Sequence, residues 1–397
     1  MPALRAGRLE PDGADSRCAR ASAPGRSWHD RPVPATTTTF SHVYPQGTRV
    51  NERGRLEIGG CDAIELAREF GTPAYVVAED DLRARARAFV ETLAARHADY
   101  DVLFASKAFP CTAVYRVLAE EGLSCDVASG GELALALKAG LHPRRLYLHG
   151  NAKSETELRQ ALDTGVGHIV LDSFDDFERL ERACAELDRR QEVLIRVTPD
   201  VAGDTHQAMS TGQADSKFGF TMDQAPTAIE EISEYIDAVV SAAHELLPRG
   251  PETRLLLEPG RALVANSTVT LYTVETVKRN VSTWVAVDGG MSDNLRPMLY
   301  GSVYEGLIAD RPLAAANERC RLAGKHCESG DVIIRDVALA DPTPGDIVVT
   351  PVTGAYGHAL ANNYNGVPRP PVIFCRDGSA RVVVRRETLD DLAGRDL

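Results

Sequence analysis

The 397-residue sequence lacks any apolar run approaching the ~20 residues that cross a bilayer, and it lacks a basic surplus: 44 Lys and Arg stand against 57 Asp and Glu, a net charge of −13. The first absence argues against a helical membrane span. The second makes binding to nucleic-acid phosphates or anionic lipid unfavourable. The eight cysteines, at 18, 61, 111, 125, 184, 320, 327 and 375, form no Cys-x-x-Cys pair, so neither a zinc site nor a dense disulfide framework is expected; reduced thiols in the cytoplasm are. Residues 1–40 have no secretory apolar core and no periodicity, and Glu10, Asp12 and Asp15 set them apart from a transit peptide. They read as a disordered extension.

What is present begins near Gly60. Residues 63–70 read as a short helix and 74–77 as a strand. Residues 81–97 read as a second helix, with Leu82, Ala86, Phe89, Val90 and Leu93 on one face. Apolar runs at 102–105, 125–128, 146–148, 168–171, 193–197 and 255–257 then alternate with helical segments. Such runs imply parallel strands buried on both faces, in a barrel or an open doubly wound sheet. Lys107, Ser129, His149, Asn151, Asp172 and Glu258 stand where the runs end, and barrel enzymes build their sites at the C-terminal ends of strands. The barrel is the better reading. Beyond Arg261 the texture becomes β, with Asp377-Gly378 as a hairpin turn; a second, mostly antiparallel domain is expected, joined by 41–72. The domain plan is therefore an extension over 1–40, a barrel over 73–261, and a β domain from 41–72 and 262–397.

Certain residue types suggest chemistry. Lys107 closes an apolar strand, and a lysine in a desolvated pocket is an amine primed to attack an aldehyde; its plain alternative is a snorkelling edge residue. Glu258, in Glu258-Pro259-Gly260-Arg261, could face a pyridinium nitrogen, with the Arg261 fork beside it for a carboxylate or phosphate. In His326-Cys327-Glu328-Ser329-Gly330-Asp331 the thiol could donate a proton, though cysteine is more often a small buried hydrophobe. Arg296, Tyr300 and Tyr356 lie in loops whose alternative role is packing and turn formation.

In this order, and with Asp126-Val127-Ala128-Ser129-Gly130-Gly131, His149-Gly150-Asn151-Ala152-Lys153-Ser154 and Asp215-Ser216-Lys217-Phe218-Gly219-Phe220, the chain from about His42 onward resembles the diaminopimelate decarboxylases, within the fold-type III pyridoxal-phosphate group. The resemblance implies a (β/α)8-type barrel with a β domain, pyridoxal 5'-phosphate as cofactor, and a homodimer with shared sites. The implied reaction takes meso-2,6-diaminoheptanedioate to L-lysine and CO2, the last step of lysine biosynthesis. Lys107 would hold the cofactor, Glu258 would pair with its ring nitrogen, and Gly260 would line its site. Arg261, Arg296 and Tyr300 would bind substrate, and Tyr356 would touch substrate and cofactor. Cys327, as proton donor, and Glu328, as substrate contact, would act in the partner's site. A decarboxylase of ornithine, lysine or arginine, or a non-catalytic homologue, are the alternatives.

The sequence departs from the family between Phe220 and Leu255. Two strand–helix units expected there are missing: one with a ring-stacking histidine in a His-x-His-x-Gly-Ser stretch, the other with a Gly-Gly-Gly loop for the cofactor phosphate. No triple glycine occurs in the chain. About 160 residues separate Leu103 from Arg261, where an eightfold barrel takes about 250. In their place a helix is expected from Pro226, with an apolar face of Ile229, Ile232, Ile236, Val239, Val240, Ala243 and Leu247. The expected barrel has about six strands, left open or closed with altered tilt.

Overall fold

The computed structural model describes residues 40–196, 228–247 and 252–397. The expected N-terminal extension before Phe40, the 215–220 segment, the start of the helix at Pro226 and the last residue of the strand expected at 193–197 lie outside the described residues.

Six short strands form one parallel sheet, in the order Leu255–Leu257, Tyr100–Ala105, Ser124–Val127, Leu146–Leu148, His168–Leu171 and Glu192–Ile195. Among the described residues the sheet does not close: the first and last strands each pair on one side only. Of the two outcomes expected for a shortened barrel, an open six-stranded half is the one found. The consequence shows at the last strand, where Ile195 is 76% exposed, and at the preceding helix Phe174–Leu187, where Phe174 is 88% exposed.

The connecting helices start where the sequence supplies caps. Ser129, Ser154 and Ser173 each accept a backbone N–H from the third residue of the helix that follows, and Ser154 with Glu157 completes a capping box. Ser129 is therefore a cap, which accounts for one of the polar residues at strand ends. Lys153 staples two strand ends. Its buried ammonium donates to the carbonyls of Gly150 at 2.6 Å and Val170 at 2.7 Å and to Asp176 at 2.6 Å. Helix Ala228–Leu246 buries Ile236, Val240 and Ala243 of the expected apolar face and packs on helix Glu79–Ala94; Leu247 is exposed, and the side chains of Ile229 and Ile232 lie outside what is described.

The second sheet is mixed. Its order is Val332–Leu339, Glu318–Ala323, Thr283–Val287, Thr268–Arg279, Ala74–Ala78, Val372–Arg376 and Ser379–Val384, with Ile347–Thr350 also on Thr268–Arg279. Pairing is antiparallel except between Thr283–Val287 and Glu318–Ala323 and between Ala74–Ala78 and Val372–Arg376. Two expectations change. Strand Ala74–Ala78 belongs to this sheet, not to the barrel, so the barrel portion starts at Glu79 rather than at 73. All five of its residues are buried, and a strand with two apolar faces suits either sheet. Residues 41–72 do not extend the large sheet; they make a small antiparallel sheet of Arg49–Val50, Leu56–Ile58 and Cys61–Asp62. The Asp377-Gly378 turn forms as predicted, both residues having positive φ.

The C-terminal segment is tied down by Glu387, which accepts from the Arg369 backbone N–H at 2.8 Å, the Arg369 guanidinium at 2.7 Å and Asn363 Nδ2 at 2.6 Å. Partial burial raises this carboxyl, but the Arg369 bonds outweigh it and bring it down to about 2. A depressed carboxylate pKa stabilises the fold above the unfolded value of about 4.3, and that contribution disappears as pH falls toward about 2. Glu387→Gln is expected to cost about 2 kcal/mol at pH 7 and much less near pH 2, by denaturant unfolding at both pH values.

Candidate active site

Parallel strands align their C-terminal ends, so four residues distant in sequence meet. Lys107 lies in the short turn Ser106–Ala108 that follows Tyr100–Ala105; Asp126 is in the neighbouring strand; His149 follows Leu146–Leu148; and Glu258 follows Leu255–Leu257. Glu132 braces the rim, accepting from Ser106 Oγ at 2.5 Å and from the Ala128 N–H at 2.7 Å.

The electrostatics are those of a compact polar cluster. His149 Nε2 is 3.0 Å from Glu258 Oε1, within ion-pair distance but without hydrogen-bond alignment. Burial pulls the His149 imidazole down, yet Glu258 and Asp126 together hold it above its usual range. Burial pushes the Asp126 carboxyl up to about 7; Glu258 adds to the rise, while His149 and Lys107 oppose it. Asp126 is 5% exposed, and its carboxylate accepts no hydrogen bond from a described group. A buried carboxylate without a partner is costly, so the cluster has capacity for a polar ligand. Donor atoms of Asp126, His149 and Glu258 lie within 4.8 Å of one another and could also hold a cation.

A cationic half adjoins this cluster. The Tyr356 N–H donates to the Ala108 carbonyl at 2.8 Å, setting Tyr356 beside the Lys107 turn. The Arg261 guanidinium carbon is 5.2 Å from the Tyr356 ring centre; that of Arg296 is 5.6 Å from the same ring and 5.5 Å from the Tyr300 ring. Neither arginine makes an ion pair with a described acid. Burial, then the charge of Arg296, lowers the Arg261 pKa. Two desolvated cations around one ring favour an anion between them. Gly260 packs tightly beneath: a Cβ there would sit 3.2 Å from the Ala105 Cβ and 3.3 Å from that of Ala108.

Seven of the nine residues singled out from the sequence therefore gather here: Lys107, Glu258, Gly260, Arg261, Arg296, Tyr300 and Tyr356. Cys327 and Glu328 do not. They are exposed on the turn between Glu318–Ala323 and Val332–Leu339, and no hydrogen bond or ion pair among the described residues joins them to the cluster. Three further members were given no role from the sequence, although His149 was named there as a strand-end residue. Asp126 and His149 carried a signal, a polar residue in or just after an apolar run. Tyr304, buried against Arg296 and Arg261 with its hydroxyl pKa raised by burial, carried none. Asp172, another strand-end residue, pairs with Arg196 at 3.2 Å instead.

The residues present fit the aldehyde and ring of a pyridoxal cofactor: an accessible amine, acids clustered opposite it, and an imidazole beside them. Residues 79–234 match the family of the pyridoxal-dependent decarboxylase pyridoxal-binding domain. The chain is 43% identical to a diaminopimelate decarboxylase of Actinosynnema pretiosum subsp. auranticum, over 89% of this chain and 95% of that one. It is 38% identical to the Bacillus subtilis (strain 168) enzyme of that name, over 89% and 98%. The first alignment runs over 426 positions, whereas 89% of 397 residues is about 353, so about 70 aligned positions have no residue in this chain. Among solved structures, the diaminopimelate decarboxylase of M. jannaschii in complex with L-lysine matches with a TM-score of 0.74 and 25% identity, covering 90% of this chain and 99% of that one. Sheet order, clustered strand ends and relatives matched almost end to end agree, and the chain belongs to the diaminopimelate decarboxylases, pyridoxal-dependent carboxy-lyases.

Proposed function

We propose that this protein removes one carboxylate from meso-2,6-diaminoheptanedioate, releasing CO2 and L-lysine, with pyridoxal 5'-phosphate held at Lys107. The observation that carries the reading is the pair Arg261 and Arg296, half-buried and buried, both close to the Tyr356 ring with no described acid to neutralise them. A substrate with a second carboxylate satisfies both cations. Ornithine and lysine, which end in an amine, leave them unpaired and add like charge.

Each residue then has a physical task. Lys107 would supply the amine that holds the aldehyde, Glu258 would stand toward the ring nitrogen and favour its protonated form, and His149 restrains Glu258 through the 3.0 Å contact. Bound pyridoxal phosphate supplies the electron sink that loss of CO2 requires. Arg261, Arg296 and Tyr300 orient the distal carboxylate, and Tyr356 closes the site over substrate and cofactor. Cys327, contributed by a second copy in a homodimer, returns a proton to the carbon that lost CO2, and Glu328 contacts the substrate there. Every described cysteine is a free thiol, which suits the cytoplasm, and no described helix is long and apolar enough to cross a membrane.

We infer further that the roughly 70 unmatched positions include two strand–helix units between Phe220 and Leu255. The open sheet supports this. With the phosphate loop among them, the cofactor is held chiefly at its aldehyde and ring. The test is incubation with saturating pyridoxal phosphate, borohydride reduction and peptide mapping, alongside CO2 release from four amino acids. A reduced adduct on Lys107 and CO2 from meso-2,6-diaminoheptanedioate are expected. A protein that stays colourless, or release only from ornithine, lysine or arginine, would overturn the reading.

A further inference from the structure

The turn that carries Cys327 and Glu328 is not held by its own strands alone. It closes over Asp331, whose side chain is 1% exposed. One carboxylate oxygen accepts the Met291 N–H at 2.8 Å; the other accepts the His326 N–H at 3.0 Å and meets His326 Nδ1 at 2.7 Å. The backbone is cut to fit this carboxylate. A Cβ on Gly290 would lie 2.5 Å, and one on Gly324 2.1 Å, from Asp331 Oδ2. Glycine at both positions lets two chains close on the charge from opposite sides.

The two chains have different destinations. Residues 289–294 run directly into the short helix Arg296–Tyr300, which supplies Arg296 and Tyr300. Residues 324–331 carry Cys327 and Glu328. A third loop joins them: the Asn362 N–H donates to the Ser292 carbonyl at 2.9 Å, and Asn365 Oδ1 accepts the Cys327 N–H at 2.8 Å. That loop, between strands Ile347–Thr350 and Val372–Arg376, also carries Tyr356.

We propose that Asp331 is a positioning residue which locks the Cys327 turn and the 289–294 loop into one unit. This rests on the decarboxylase reading for the tasks of Cys327 and Arg296, although the lock itself does not. The residues that grip the substrate in one site and those that reach the partner's site then answer to a single carboxylate. A neutral amide cannot replace it. The amide of an asparagine keeps one acceptor oxygen and turns an NH2 toward donors that need an acceptor. Loosening one loop therefore loosens the other.

The test is hydrogen exchange by mass spectrometry on the full chain, comparing wild type with Asp331→Asn and Gly290→Ala. Asp331→Asn is expected to speed exchange at 324–331 and 289–296 together, leaving helix Glu155–Thr164 unchanged. Gly290→Ala, made in one loop, is expected to speed exchange in the other, at Cys327 and Glu328; this second variant decides the matter if the first does not fold. Exchange confined to the loop that bears the substitution would overturn the lock. In turnover assays at saturating cofactor, kcat for Asp331→Asn is expected to fall about tenfold or more, with a smaller change in KM, because misplacing a donor costs more in rate than in binding. An unchanged kcat with both loops loosened would overturn the positioning role. A wild-type chain that releases no CO2 sinks the decarboxylase reading and, with it, the positioning role, while the exchange arms still decide the lock.

Discussion

Glu258→Gln is expected to lower kcat for decarboxylation about 10²–10³-fold while borohydride still fixes pyridoxal phosphate on Lys107. The two outcomes separate because the two residues do different things. On the proposed reading Lys107 supplies a nucleophilic nitrogen from the turn after the neighbouring strand, and a neutral amide at 258 leaves that amine in place. The carboxylate supplies charge. On the proposed reading it would stand toward the ring nitrogen of bound pyridoxal phosphate and favour the protonated ring that serves as electron sink; an amide would not. The neighbourhood magnifies the loss, because Asp126 is 5% exposed and charge interactions strengthen where water is excluded. A second readout needs no turnover. Glu258 is the strongest influence raising the His149 pKa, so in Glu258→Gln the imidazole should titrate at lower pH than in wild type, as followed by NMR. A kcat within twofold of wild type, with His149 unmoved, would place another group at the ring nitrogen.

What could be read from the sequence follows from how locally each feature is determined. Lys107 and Glu258 were legible because a short apolar run followed by a polar residue is the signature of a parallel strand reaching a site, and parallel pairing aligns the ends. The same pattern also named Ser129 and Asp172, which became a helix cap and an ion-pair partner. A strand-end position is thus necessary but not sufficient. The sheet that takes Ala74–Ala78 was not legible, because five consecutive buried residues satisfy either sheet and only pairing with Thr268–Arg279 and Val372–Arg376 decides. Strand Glu318–Ala323 escaped notice because its outward face carries Arg319 and Arg321 beside a single buried pair, Cys320 and Leu322. The environment of Asp331 depends on two glycines, one of them 41 positions away, a proximity that no local pattern encodes.

Filling the gap inferred between Phe220 and Leu255 with the corresponding segment of a matched relative is expected to tighten pyridoxal phosphate binding about 10²–10³-fold. The size follows from the chemistry of phosphate binding. Two or three backbone N–H groups donating to a dianion, reinforced by a helix N-terminus, are together worth about 3–4 kcal/mol, and each 1.4 kcal/mol is tenfold in Kd. A second effect concerns the fold. Two further strands would pair with the edges of Glu192–Ile195 and Leu255–Leu257 that have no partner among the described residues, and cover Phe174 and Ile195, now 88% and 76% exposed. Unpaired edges and bare apolar side chains promote association, so the restored chain should also remain disperse at concentrations where the present one aggregates. Absorbance titration with the cofactor and light scattering measure the two effects separately. Tighter binding without better dispersity would mean that the open edge is already protected. Better dispersity without tighter binding would mean that this chain already anchors the phosphate, and that the clustered acids, His149 and the arginine pair together hold the cofactor without a glycine loop.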